Sequence, residues 1–187
     1  MARAWVEIML RPRRFFINGV APGDQAPGLS FAIAVALLYV GGLLAVQPAR
    51  ILGDSRIPIM GDSPGLTAVF ILLLTAVVAA PAALHLVSAI QTVFLMLTVS
   101  DRAGVSETVQ IIGYATAPCV IVWLPVPGLA ALCGLYATGL LIVGLAVVHE
   151  TTLFRAAVAG LAPAVLVFGV AFGGLWDGLA LLETVVG

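Results

Sequence analysis

Side chains able to carry chemistry are few in this 187-residue chain: two His, two Cys, nine acidic residues and eight basic ones, every one of the latter an Arg. The densest group is His85, Ser88, Gln91 and Thr92. On a helix this spacing puts His85, Ser88 and Thr92 along one face, with Gln91 beside them. Such a face could serve a cavity or a partner. It could equally make interhelical hydrogen bonds, worth about 1 kcal/mol or less per contact, and that second reading is favoured. A Ser–His nucleophile is not expected, since nothing supplies an orienting acid or an oxyanion hole. A second polar knot is His149-Glu150-Thr151-Thr152. It lacks the second His at helical spacing that a metal site needs, so it reads as a polar junction in which Thr151 or Thr152 starts a helix. Cys119 and Cys133 flank Val126 symmetrically and are expected to pack as small hydrophobes. Gly-Asp-Ser occurs at Gly53–Ser55 and again at Gly61–Ser63, without the spacing of a calcium loop, and reads as turn chemistry. No glycine-rich nucleotide loop follows a strand. No catalytic residue, metal or cofactor is assigned.

The elements that must position these residues follow from where charge is absent. The chain is 62% hydrophobic and 9% charged, against about a quarter charged in a typical soluble domain. A soluble fold and intrinsic disorder are both excluded. A net charge of −1 gives no sign of nucleic-acid binding, which wants a clustered basic face. Charge-free stretches run over Gln25–Ala49, Ser63–Ser100, Thr108–Val148 and Ala156–Trp176. Each holds the roughly 20 apolar residues that a helix needs to cross a bilayer, and helix is the form that satisfies its own backbone in lipid.

The stretch from Thr108 contains a turn, Leu124-Pro125-Val126-Pro127-Gly128, which removes two amide donors and ends in glycine. It reads as two helices, roughly 109–123 and 129–148. The stretch from Ser63 has Pro81 near its middle but no Gly, Asn or Asp beside it. One long, kinked helix is expected there rather than a hairpin. The expectation is an all-α polytopic membrane helix bundle of five transmembrane helices, in the sense amino terminus inside and carboxyl terminus outside. That sense places Arg3, Arg11, Arg13, Arg14, Arg102 and Arg155 inside and only Arg50 and Arg56 outside, as the positive-inside rule requires.

Residues 1–28 read as a cytoplasmic segment and 29–187 as the membrane domain. The first 16 residues mix Trp5, Ile8, Phe15 and Phe16 with Arg and Glu. They predict an interfacial helix, aromatic side chains in lipid and Arg towards headgroups, and not a cleavable signal peptide. Gly169-x-x-x-Gly173 predicts close helix approach in the last span.

Several short motifs, in order, resemble the Yip family (Ypt/Rab-interacting proteins), specifically its prokaryotic branch. His85-Leu86 resembles a His-Leu pair frequent in that branch. Ser106-Glu107-Thr108 followed by Gly113-Tyr114-Ala115-Thr116-Ala117-Pro118 resembles its Gly-Tyr-x-x-x-Pro signature, and Leu124-Pro125 through Gly128 its hairpin. Gly144-Leu145 to His149, with Arg155-Ala156, resembles the segment joining its last two spans, and Arg11-Pro12-Arg13-Arg14-Phe15-Phe16 adds an amino-terminal match. Pro118 cannot donate to the Tyr114 carbonyl, so the third span should kink or open there, with Tyr114 and Thr116 helping to satisfy what is freed.

The resemblance implies a multi-pass membrane protein without a catalytic motif. Eukaryotic relatives are trafficking proteins whose cytosolic amino-terminal regions contact small GTPases. The corresponding region here is short and has no comparable acidic or aromatic segment, so GTPase binding is not expected. The expected function is non-enzymatic: membrane organisation or trafficking-like partner binding at the cytoplasmic face of the cell membrane, with a homo-oligomer also considered. The alternative is a small-solute or ion transporter or channel with the His85–Gln91 face lining the path. Against it, no inverted repeat is clear and no charged residue marks a midplane site.

Overall fold

The computed structural model describes residues 2–52 and 63–186, which are helical with no strand among them. Both Gly-Asp-Ser turns fall wholly or mostly outside the described residues, as does Arg56. The helices are α1 (Ala2–Leu10), α2 (Pro12–Gly19), α3 (Ala26–Val46), α4 (Pro64–Thr98), α5 (Val105–Ala115), α6 (Leu129–Val148), α7 (Leu153–Ala171) and α8 (Gly174–Val186). A single turn, Ala49–Leu52, follows α3. Four of these helices, α3, α4, α6 and α7, are long and apolar enough to cross a membrane.

The stretch around Pro81 is one continuous helix of 35 residues, as its flanks predict. It accommodates the proline by widening one turn. Thr75–Ala79 is π-helical, with the Ala80 amide donating to the Thr75 carbonyl five residues back. The turn that cannot receive a proton from Pro81 is thus opened just before it. Ser63 caps the start of α4, its hydroxyl accepting from the Leu66 amide at 3.4 Å.

The third apolar segment differs from its expected 109–123 extent. Its α-helix starts earlier, at Val105, and ends at Ala115. A tighter 3₁₀ turn, Ala117–Ile121, continues it. The cause is Pro118: with no N–H to give Tyr114, the α-ladder cannot pass it. The Cys119 amide bonds instead to Thr116 at 2.8 Å. Eleven residues of α5 span only about 17 Å. Every residue from Glu107 to Ala115 is buried, with α3, α4 and α6 packed around the helix.

Two expectations at the ends of the chain are corrected. The amino-terminal aromatics do not face lipid: Phe15 and Phe16 are buried in the same core as α5 and α6, as is Ile8, and residues 2–19 form two helices folded back on the bundle. Gly173 does not pack a neighbouring helix: its φ is +80°, nothing lies where its Cβ would be, and it ends α7. The chain then turns into α8, a helix that the charge pattern did not reveal, which packs back along α6.

Gly128, at φ +81°, takes the left-handed turn of the hairpin and precedes α6. The exposed amides at that helix start are met from α8. The Asp177 carboxylate accepts from Gly128 N at 3.2 Å, Ala130 N at 2.9 Å and Ala131 N at 3.2 Å. A carboxylate there satisfies orphan donors and faces the positive end of the helix dipole.

Candidate functional site

The polar residues gather at two levels of the bundle. The larger group lies where α5 begins, α6 ends and the α2–α3 link passes. Gln110 is fully buried and clasps that link with both ends of its amide: Oε1 accepts from Ala21 N at 3.0 Å and Nε2 donates to Ala21 O at 2.7 Å. One turn earlier Glu107 accepts from Gly23 N at 3.0 Å, and its other oxygen accepts from Ser106 Oγ at 3.2 Å. These three backbone bonds are why residues 20–23 hold a fixed course.

The signature residues sit just beside the clasp. Gly113 is needed for close approach: a Cβ on it would stand 2.4 Å from the Gly28 carbonyl oxygen, and one on Gly28 would stand 2.4 Å from the Gln110 Cα. Helices α3 and α5 therefore meet backbone to backbone. The Tyr114 ring lies edge-on between Phe15 and Phe31, with centroids 4.8 and 5.4 Å away. Pro118 ends the α-ladder as anticipated. The Thr116 hydroxyl donates to Gly113 O at 2.7 Å, one residue short of the Tyr114 carbonyl that Pro118 leaves without its helical donor. Tyr114 has a packing role instead. Trp5, expected in lipid, instead donates from Nε1 to Ala117 O at 2.9 Å, in the 3₁₀ turn that follows α5.

His149 follows α6 and is 1% exposed. Its Nε2 lies 3.4 Å from Thr108 Oγ1, and its Nδ1 has no protein partner. Burial pushes its pKa down to about 4; Glu107 opposes the shift and Arg102 adds to it. The ring is therefore neutral at pH 7. Glu150 takes a left-handed backbone, φ 46°, and Thr152 caps α7 by accepting from Arg155 N at 3.3 Å. Arg155 itself is exposed.

The second level is on α4. Ser88 and Gln91 point inwards and are fully buried, Thr92 is half-buried, and His85 is exposed, so His85 does not share the inward face of Ser88. The His85 ring bonds back to its own helix, Nδ1 donating to Pro81 O at 2.7 Å. Thr92 likewise donates to Ser88 O at 2.7 Å. Gln91 makes the interhelical contact: Nε2 donates to the Ala159 carbonyl at 3.0 Å. That carbonyl is free because the residue four positions on is Pro163, inside α7. Gln91 Oε1 and Ser88 Oγ have no protein partner.

Cys119 and Cys133 are buried and unpaired. Among the described residues, no three His, Cys, Asp or Glu side chains come together. The arrangement joins helices and fixes a terminal segment.

A family model, the Yip1 domain, matches residues 6–175, nearly the whole chain. No curated protein and no solved structure matches it. The chain belongs to the Yip1 domain family and is a multi-pass membrane protein whose apolar helices contact the lipid bilayer.

Proposed function

We propose that this Yip-type protein is non-enzymatic and organises membrane or partner proteins through a rigid basic face at the cytoplasmic side of the cell membrane. The observation that carries this reading is the clasp. Gln110 and Glu107 hold the link behind α2, and Phe15 and Phe16 anchor α2 in the core. Arg11, Arg13 and Arg14 are left exposed on a fixed scaffold. Arg155 is exposed at the start of α7, at the same end of the bundle. A basic surface of this kind suits an acidic partner segment or anionic headgroups.

In this reading the chain crosses five times, through α3, α4, α5 with its 3₁₀ extension, α6 and α7. The amino terminus is inside and the carboxyl terminus outside, which puts six Arg inside and two outside. The exposed apolar face of α4 leaves room for a second copy. Small GTPase binding is not part of the proposal.

The test is photo-crosslinking from position 14 in native membranes. A partner should be captured, and the triple change of Arg11, Arg13 and Arg14 to Gln should abolish capture. No capture from the wild-type chain would overturn the reading. Membrane-impermeant thiol labelling should reach a cysteine at position 50 from outside and one at position 102 only after permeabilisation; the reverse would overturn the orientation.

A second reading, a small-solute or ion path, draws support from the unpartnered Gln91 Oε1 and Ser88 Oγ within the bundle. Saturable flux into liposomes, abolished by Gln91→Leu, would favour it over the first.

A further inference from the structure

A pocket of about 640 Å³ opens between α2 and the end of α6, within the size range of small-molecule sites, about 300–1,000 Å³. Its wall includes Ile17, Val143 and Val147, and its lip carries Arg13, Glu150 and Thr151. Val143 and Val147 belong to the last turns of a membrane-crossing helix that ends at Val148, and Glu150 and Thr151 come just beyond it. The pocket thus straddles the boundary between hydrocarbon and headgroups. Ile17 is 60% exposed at this boundary, which favours an apolar occupant.

The lip is matched to a particular charge pattern. Among the described residues the ion pair is Arg3–Glu7 at 3.5 Å, and Arg13 has no carboxylate partner. Glu150 brings one negative charge to the same opening, from a strained left-handed backbone that fixes its Cα–Cβ direction. We propose that this pocket seats a phospholipid whose headgroup carries both a phosphate and a primary ammonium. The phosphate meets the Arg13 guanidinium, the ammonium donates to the Glu150 carboxylate, and the Thr151 hydroxyl donates to a phosphate or ester oxygen. An acyl chain lies along Ile17, Val143 and Val147. A headgroup with only negative charge would face Glu150 unfavourably. A quaternary ammonium has no N–H to donate.

This inference shares Arg13 with the partner-binding reading but not Glu150, so Glu150→Gln separates the two: it should alter lipid selectivity and leave partner capture unchanged. The full chain is placed in nanodiscs holding equal amounts of phosphatidylethanolamine, phosphatidylglycerol and phosphatidylcholine with identical acyl chains. Lipid retained on the protein is then read by native mass spectrometry. Phosphatidylethanolamine should be retained about fivefold over each of the others, the discrimination expected of one partly exposed charge pair. Glu150→Gln should erase its advantage over phosphatidylglycerol, and Arg13→Gln should lower retention of all three lipids by about fivefold. Both side chains are exposed, and an unchanged thermal transition verifies that each variant is folded. Equal retention of the three lipids, preference for phosphatidylglycerol, or retention untouched by both substitutions would overturn the proposal. So would displacement of all lipid by a co-purifying peptide seated in the pocket.

Discussion

Helices α4 and α5 distribute polarity in a way that a protein in water would reverse. The short α5 carries Glu107, Thr108 and Gln110, and its residues from 107 to 115 are all buried. The long α4 is richer in apolar residues, yet Val77 is 72% exposed and Leu97 is 78% exposed. The solvent explains the inversion. Lipid takes an apolar side chain at no cost but cannot satisfy a polar one. Polar residues therefore retreat to where protein backbone can receive them, at Ala21 and Gly23 for α5 and at Ala159 for the inward face of α4. Apolar side chains are free to face outwards.

If that contrast is right, damage to α5 should be far more costly than damage to α4. The largest effect is expected from Gly113→Ala, whose new methyl would meet the Gly28 carbonyl oxygen at 2.4 Å. Backbone cannot move aside as a side chain does, so the loss should be about 3 kcal/mol, measured by denaturant unfolding in micelles. Next comes Gln110→Leu, which keeps the volume but leaves Ala21 N–H and C=O without their partner. About 2 kcal/mol should be lost, with faster amide exchange at residue 21.

A pH series sharpens the same contrast. His149 is held neutral beside α5, its pKa pushed down from 6.5 to about 4. Below pH 6.5 the unfolded chain binds a proton that the folded chain refuses. Stability should therefore be full above that pH and fall progressively towards pH 4. His149→Gln should remove this part of the slope in an acid titration of the unfolding midpoint. The smallest effect is expected from Leu97→Ala on the lipid face of α4, under about 0.5 kcal/mol. A loss there comparable to that of Gln110→Leu would break the comparison.

How much of this was readable in the sequence depended on whether the cause was local. Pro81 without turn residues beside it implied a continuous helix, and Pro125 to Gly128 implied a hairpin; both rest on backbone rules that act within a few residues. Pro118 likewise marked the place where α5 gives way to a tighter turn. The polar face of α4 was less legible. Leu84, Ser88, Gln91 and Leu95 are buried, and a step of about 100° from Leu84 takes His85 off that stripe. Helical spacing alone could not say which side of the polar arc faces the bundle.

The amino-terminal aromatics failed for a related reason. An apolar face looks the same in sequence whether lipid or protein covers it, and here protein does. The Trp5 bond to Ala117 crosses 112 residues and left no local signal, although an indole beside a broken helix is a plausible kind of partner to seek. The same holds for the Gln110 clasp, which joins residues 89 apart.

The hold of Asp177 on the start of α6 has a consequence in time. The amides at residues 128, 130 and 131 precede their acceptor by 49, 47 and 46 residues. At ordinary synthesis rates that interval is roughly 2–10 s. For that long the tip of the emerging hairpin carries three N–H groups with no carboxylate to receive them. The last helix is thus the latch of the hairpin before it, and a nascent chain arrested short of residue 177 would leave that latch open.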